Sequence, residues 1–450
     1  MKIKKNKISL NIFEYDKREI VYFIINVLIG IGVAVFFNFM EMRQYGGNIL
    51  DEYLDRLIQF EASTLQNFDD KKLLSKIFFN TKELNITSLK NLSFIEIDRI
   101  TLKNWEGINQ PIIPRAKVAD LLIKVSQKKP KLIIVDILFD VKSCNDDKLF
   151  ILNLEKAIKK YNAVFVFVSV IDPISEKILY PFFYQDLKSH YPNNIFISSP
   201  YLSISEYDNT ARFFRFFEIV KKNQKKDILW NTSLIALVLL NNQMELLEKT
   251  KKEILENKNN RAIININGKK IAIDNQDLIS SRLRFPYSVV IDEETNFLTL
   301  RNLPMYPNHL IEDKIKDKIV LIGTTDPIKQ DFFKTPVGYM PGMYLIANAL
   351  FTLSNLQIHH ELTIIKLLIQ IFVILLAAYF FLWMDSAIAT VSSLTLIAFL
   401  VPLSILLFLR FNIFINTIFP LLCIITHKNL IKIEEFLINR LDKQKRTKEG

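Results

Sequence analysis

Only two cysteines occur in the 450 residues. Cys144 and Cys423 stand far apart, and the second lies in an apolar run, so there is no disulfide framework and no cysteine metal spacing. His190, His359, His360 and His427 fall into no HExxH or HxH arrangement. G-x-S-x-G, Walker and Cys-His patterns are missing too, which leaves nucleophilic catalysis without visible equipment. No zinc-finger, helix-turn-helix or RNP-like signature accompanies the net charge of +11. A nucleic-acid partner is therefore excluded, and the positive excess is better explained by its position beside apolar runs. The chain also lacks internal repeats and low-complexity linkers.

Apolar residues are abundant, at 50% of the chain. Uncharged runs at residues 20–40, 367–384, 386–409 and 411–426 predict four transmembrane α-helices, since about 20 apolar residues cross a bilayer. Lysines and arginines crowd residues 1–19 and 427–450, which places both termini in the cytoplasm. Residues 41–362 then form one external domain, periplasmic in a bacterium with two membranes. The expected location is the bacterial inner membrane, multi-pass, with the lipid bilayer as a partner.

The external domain centres on KLIIVDILFDVKSCNDD, residues 131–147. Leu132–Val135 is an apolar, β-branched run of the kind found in strands buried on both faces. Strands at 93–99, 132–135 and 163–170 alternate with helices opening at Arg115 and near Asp146. This β-α-β-α-β order predicts an α/β fold: a mixed, largely parallel sheet flanked by helices. Further on, strands are expected at 194–198, 211–217, 283–287 and 318–323. A hairpin is expected around Asn267-Gly268, and helices at 48–68, 233–240 and 343–355. Pro341 and Gly342 are read as the hinge between sheet and last helix.

Ligands of open α/β sheets sit outside the carboxyl ends of the strands. Arg115, Asp136, Asp146, Asp147 and Asp331 are therefore the candidate ligand-binding residues, with Asp140 close by. Carboxylates suit a hard divalent cation such as calcium or magnesium, and no other cofactor is called for. The same residues also have structural readings: Asp146-Asp147 at a helix N-terminus, Arg115 paired to Asp136.

The order of motifs resembles the CHASE type-two sensory domain over roughly residues 45–360. It runs Asp98, then Pro111-Ile112-Ile113-Pro114-Arg115, VDILFD with Asp146-Asp147, SLIAL and KIVLIGTT. Asp331, Thr335-Pro336, Pro341-Gly342 and Ala347-Asn348 complete it. Ile112 and Ile113 stand where such domains often carry a tryptophan. The resemblance implies an extracellular input module of a bacterial receptor. Such receptors usually place a catalytic output domain after the last span; too few residues follow Thr426 for one, so a non-enzyme that signals through a separate protein is expected. Its partners are an unknown periplasmic ligand and a signalling or envelope protein, and a homodimer is compatible. Two alternatives remain open: a membrane accessory or scaffold protein, and a metal-dependent periplasmic hydrolase.

Overall fold

The computed structural model describes residues 17–42, 54–59, 62–63, 91–105, 113–142, 146–205, 208–222, 225–256, 261–266, 269–274, 283, 297–299, 307–326, 331–355 and 363–383, with scattered residues between 388 and 426. The chain divides into two units, one of Met1–Gly47 with Leu362–Gly450, the other of Asn48–Glu361.

In the first unit, α1 (Lys17–Met42) opens the described chain. The second unit begins with a helical stretch at residues 54–59. Then come β1 (Leu92–Ile97), α2 (Arg99–Asn104), α3 (Arg115–Gln127), β2 (Leu132–Asp136), α4 (Asp147–Tyr161), β3 (Phe165–Val168), β4 (Val170–Ile171), β5 (Ile178–Leu179), α5 (Tyr184–His190) and β6 (Ile195–Ser198). The middle holds β7 (Leu202–Ile204), β8 (Ala211–Phe214), β9 (Phe217–Lys222), β10 (Lys225–Trp230), α6 (Thr232–Leu240), α7 (Met244–Glu256), β11 (Arg261–Ile266) and β12 (Lys269–Asp274). The unit closes with β13 (Phe297–Thr299), α8 (Asn308–Ile315), β14 (Ile319–Thr324), β15 (Phe332–Thr335), β16 (Gly338–Pro341) and α9 (Gly342–Asn355). The chain re-enters the first unit as α10 (Thr363–Trp383).

Six strands form one sheet in the order β13-β1-β14-β2-β3-β6. Every described pairing in it is parallel. Antiparallel pairing is confined to small two-stranded ribbons such as β11-β12 and β15-β16. Parallel strands must be covered on both faces, which explains why β2, β3 and β14 are apolar without alternation. On one face, Ile95, Ile133, Val135, Phe165, Phe167 and Ile322 pack with Val118, Leu122 and Val125 of α3 and with Phe150 and Leu154 of α4. The opposite face is covered by α6 and α9, which are packed on each other and on the strands. Helix α4 stops at Asn162, whose left-handed backbone (φ 53°) lets its N–H reach the Ile158 carbonyl at 2.9 Å.

In the first unit, Ala34 of α1 is buried with Val373, Ile374 and Ala377 of α10, beside Leu400 and Ile425. The expectation of four membrane-spanning helices is overturned here. Among the described residues, no helix is long and apolar enough to cross a membrane. Residues 20–40 fall in α1 and 367–383 in α10, where part of the apolar surface serves helix-to-helix packing. The runs at 386–409 and 411–426 contain only short helical pieces among the described residues.

Other expectations divide. The strands at 93–99, 132–135, 194–198 and 318–323 are present, as are the Asn267-Gly268 hairpin and the helices opening at Arg115 and near Asp146. The runs at 163–170 and 211–217 each break into two strands with different partners: β3 joins the sheet while β4 pairs with β5, and β8 pairs with β7 while β9 pairs with β10. Strand-like composition does not reveal where a chain changes partner. Of the strand expected at 283–287, only Leu283 is described, and its N–H bonds the Arg212 carbonyl at 2.8 Å. Of the helix at 48–68, residues 54–59 and 62–63 are described and helical.

Beneath α4 and α5, Phe139, Phe150, Phe167 and Phe183 form a ring of edge-on and tilted contacts 4.8 to 5.8 Å apart. Phe150 is fully buried at its centre. Phe150→Ala is expected to cost about 3–5 kcal/mol, read as a lower urea midpoint at unchanged slope. A loss under about 1 kcal/mol would show that this cluster is not part of the cooperative core.

Candidate functional site

The parallel register aligns Glu96 of β1, Gly323 of β14 and Asp136 of β2 in one row near the carboxyl ends of neighbouring strands. Side chains at matched positions of adjacent strands share a face. Two residues earlier, the same row holds Phe94, Leu321 and Ile134; Phe94 meets the Tyr344 ring edge-on at 5.4 Å, so this is the face that α9 covers. Tyr344 also donates its hydroxyl hydrogen to Glu96 Oε1.

Gly323 sits in the middle of the row. A Cβ there would stand 3.0 Å from Met343 Cβ and 3.3 Å from Asp136 Cβ. The missing side chain is what lets the first turn of α9 come down beside Asp136. Gly342, the first residue of that helix, makes room in the same way for Asp331. A Cβ on Gly342 would lie 2.6 and 2.8 Å from the two Asp331 carboxylate oxygens. The Gly342 N–H donates to the Asp331 carbonyl oxygen at 3.0 Å. Pro341 and Gly342 thus stand where the sequence placed a hinge, at the junction of β16 and α9.

Asp136 and Asp331 therefore form a pair. Asp136 keeps some exposed surface, but its Oδ2 is closed off from solvent and has no hydrogen-bond partner. Burial, and then the Asp331 charge, push the Asp136 carboxyl well above the usual carboxylate range. Burial likewise pushes Asp331 up to about 7, against the Gly342 N–H, which favours the ionised form. No lysine, arginine or histidine occurs on β1, β2, β14, α6 or α9 to neutralise them.

The other candidates assemble elsewhere, at the N-termini of α3 and α4. Arg115 is buried, and its two terminal nitrogens donate to the Asp147 carboxylate and the Val141 carbonyl oxygen. Its guanidinium lies 4.3 Å from the centre of the Phe182 ring. Asp146 is the N-cap residue of α4 and makes no side-chain capping bond, while Asp140 is exposed. Arg115 pairs with Asp147, not with Asp136 as its structural reading had it. One expected cluster is thus two: an ion pair that joins two helices, with Arg115 Nε buried and unpartnered, and a carboxylate pair without a cation among the described residues. Among the described residues, no three His, Cys, Asp or Glu side chains are grouped to hold a metal ion.

The family model described as the CHASE2 domain matches residues 46–383, well over half of the 450-residue chain. The chain belongs to the CHASE2 domain family. No curated protein and no solved structure matches it. CHASE2 domains are extracellular sensory modules, not catalytic ones, so a sensory role follows from family membership.

Sequence reasoning passed over Glu96, although SFIEIDR carries the signal: strict alternation puts Glu96 on the face of Phe94, an odd place for a carboxylate. It also passed over Arg212 on β8. That buried guanidinium takes Asp55 of stretch 54–59 at 2.7 and 2.8 Å and Asp208 at 2.6 and 3.1 Å. Burial pushes the Asp208 carboxyl up, but hydrogen bonds from Arg212 and Thr210 hold it well below the usual range.

A carboxyl with a raised pKa binds more protons folded than unfolded. For Asp331 the native value is about 7 and the unfolded value about 3.9, so its contribution is complete at pH 4 and is lost as pH rises through 7. At about 1.4 kcal/mol per unit, the loss is on the order of 4 kcal/mol. Asp331→Asn is expected to flatten this slope and to stabilise the protein at pH 8, in urea titrations from pH 4 to 8.5; an unchanged slope counts against burial of the Asp331 carboxyl. Arg115→Leu leaves Asp147 without its cation and is expected to cost about 3–5 kcal/mol at every pH in that range. A cost within 0.5 kcal/mol would remove the pinning role of the ion pair.

Proposed function

We propose that this CHASE2 protein is a signal-input protein whose 48–361 unit lies outside the cytoplasm and binds its signal at Asp136 and Asp331. The response then passes through α9 to a separate protein. One observation carries the reading: Asp136 Oδ2 is buried and has no donor among the described residues, while the Asp331 charge acts on the same carboxyl. Such a group is a standing cost to the fold and gains a partner only when something binds. Its position supports transmission. The pair touches the first turn of α9, and α9 is packed along its length by Ile346, Ala349, Leu350 and Leu353, all buried. Arg115, Asp146 and Asp147 hold the adjacent loop in shape in this reading.

A reporter fused after Pro286 is expected to be active only outside the cytoplasm; activity inside would place the sensory unit on the wrong side. A bound signal is expected to stabilise the full-length protein, by about 2.7 kcal/mol at 100 times its Kd. Asp136→Asn should abolish that gain while the protein stays folded. Stabilisation that survives in both Asp136→Asn and Asp331→Asn would move the binding site elsewhere. Pull-down of the full-length chain from detergent-treated cells is expected to recover the receiving protein.

A further inference from the structure

The β15-β16 hairpin joins two places. At its base, Phe332 pairs with Pro341, directly beside Asp331 and Gly342. At its far end, the Pro336 carbonyl oxygen accepts a hydrogen bond from Gln59 Nε2 of stretch 54–59 at 2.7 Å. Lys334 of the hairpin forms a bridge with Thr210, and its Nζ reaches the Asp208 carbonyl oxygen at 3.2 Å. Asp208 in turn holds Arg212, which grips Asp55 of the same helical stretch. One strand pair thus has its root at the half-buried carboxylates and its tip on the helix that opens the unit.

The charged and titratable groups around the root leave the pair little choice of partner. β1 offers Glu96, already accepting from Tyr344, the one titratable side chain of α9. α6 has none, and buried Asp326 follows β14. Lys334, the hairpin's cation, is turned to Asp208. Among the described residues no cation faces the pair, and two carboxylates in a desolvated site without one do not both stay ionised. The ligand with the smallest steric demand is a proton, and the Met343, Asp136 and Asp331 side chains already crowd Gly323 and Gly342.

We propose that Asp136 and Asp331 bind one proton between them, and that the β15-β16 hairpin carries its presence to helical stretch 54–59. This rests on the sensory reading above and names its signal as pH. Uptake takes one proton from bulk water, forms one O–H bond on one carboxyl group and removes one unit of negative charge. Relief of the repulsion lets Asp331 settle, and the hairpin root moves with it.

The test uses the full-length chain with Cys144 and Cys423 replaced by serine. Spin labels go on Arg56→Cys and Tyr339→Cys, both exposed. Samples are frozen between pH 5.5 and 8.5 and the label distance is measured. Two distance populations are expected, whose ratio inverts around pH 7, where Asp331 titrates. In the Asp136→Asn/Asp331→Asn double variant, one pH-independent population is expected. A pH-independent ratio with the carboxylates intact overturns the proposal, even if a chemical ligand still stabilises the protein, which is the result that leaves the sensory reading standing. A ratio that still inverts in the double variant overturns it as well. So does restoration of the low-pH population at pH 8 by millimolar calcium or magnesium, because the ligand would then be a metal ion.

Discussion

A carboxylate at the dry end of a parallel sheet is the constraint around which this domain is built. Asp136 ends β2, a strand with apolar neighbours on both sides, and nothing described donates a hydrogen bond to its buried oxygen. The low local dielectric that strengthens hydrogen bonds also makes an unpartnered charge costly. Asp331 adds a second negative group to the same spot. Two glycines make room for the arrangement: a Cβ on Gly323 would crowd the Met343 and Asp136 side chains, and one on Gly342 would meet the Asp331 carboxylate. The first turn of α9 is therefore seated by the site itself.

The domain uses its two buried arginines in the opposite way. Arg115 and Arg212 each have carboxylate partners: Asp147 for the first, Asp55 and Asp208 for the second. Paired charges of this kind specify which elements meet, and the loss of one member is expensive because the other stays buried. Arg115 fixes the N-termini of α3 and α4 around the loop that follows β2. Arg212 fixes the helical stretch 54–59 to β8. Asp136 and Asp331, by contrast, have no cation among the described residues, and this difference in charge pairing distinguishes them from the two ion-paired regions.

For a CHASE2 sensory module, this division has a mechanical meaning. A signal that changes the charge of a buried pair acts over a short range and needs a stiff element to carry it further. Helix α9 and the β15-β16 hairpin both start at the pair and run outward from it. Packed interfaces shift between discrete arrangements rather than bending continuously, so a small change at their common root can become a change of position at their far ends.

Much of the fold was determined by the sequence alone. The apolar runs at 132–135, 165–168 and 319–322 have no polar face to show to water, so they had to become central strands of a covered sheet. The helical spacing of Val118, Leu121, Leu122 and Val125 left only one face for α3 to bury. The antiparallel pairing of β11 with β12 falls where the sequence expected a hairpin. Local pattern carries such information because burial has a period. The tertiary structure decided what no period encodes. It separated Arg115 and Asp147 from Asp136 and Asp331, although all had been assigned to the same ends of one sheet. It divided the expected strands at 163–170 and 211–217 between different partners. It also left no helix among the described residues long and apolar enough to cross a membrane, where hydropathy alone had drawn four. Hydropathy measures a preference for leaving water and does not name the surface that receives the side chain. Charge pairing and the close approach of two glycines depend on distances between residues far apart in the chain, and those exist only once the sheet has closed over its core.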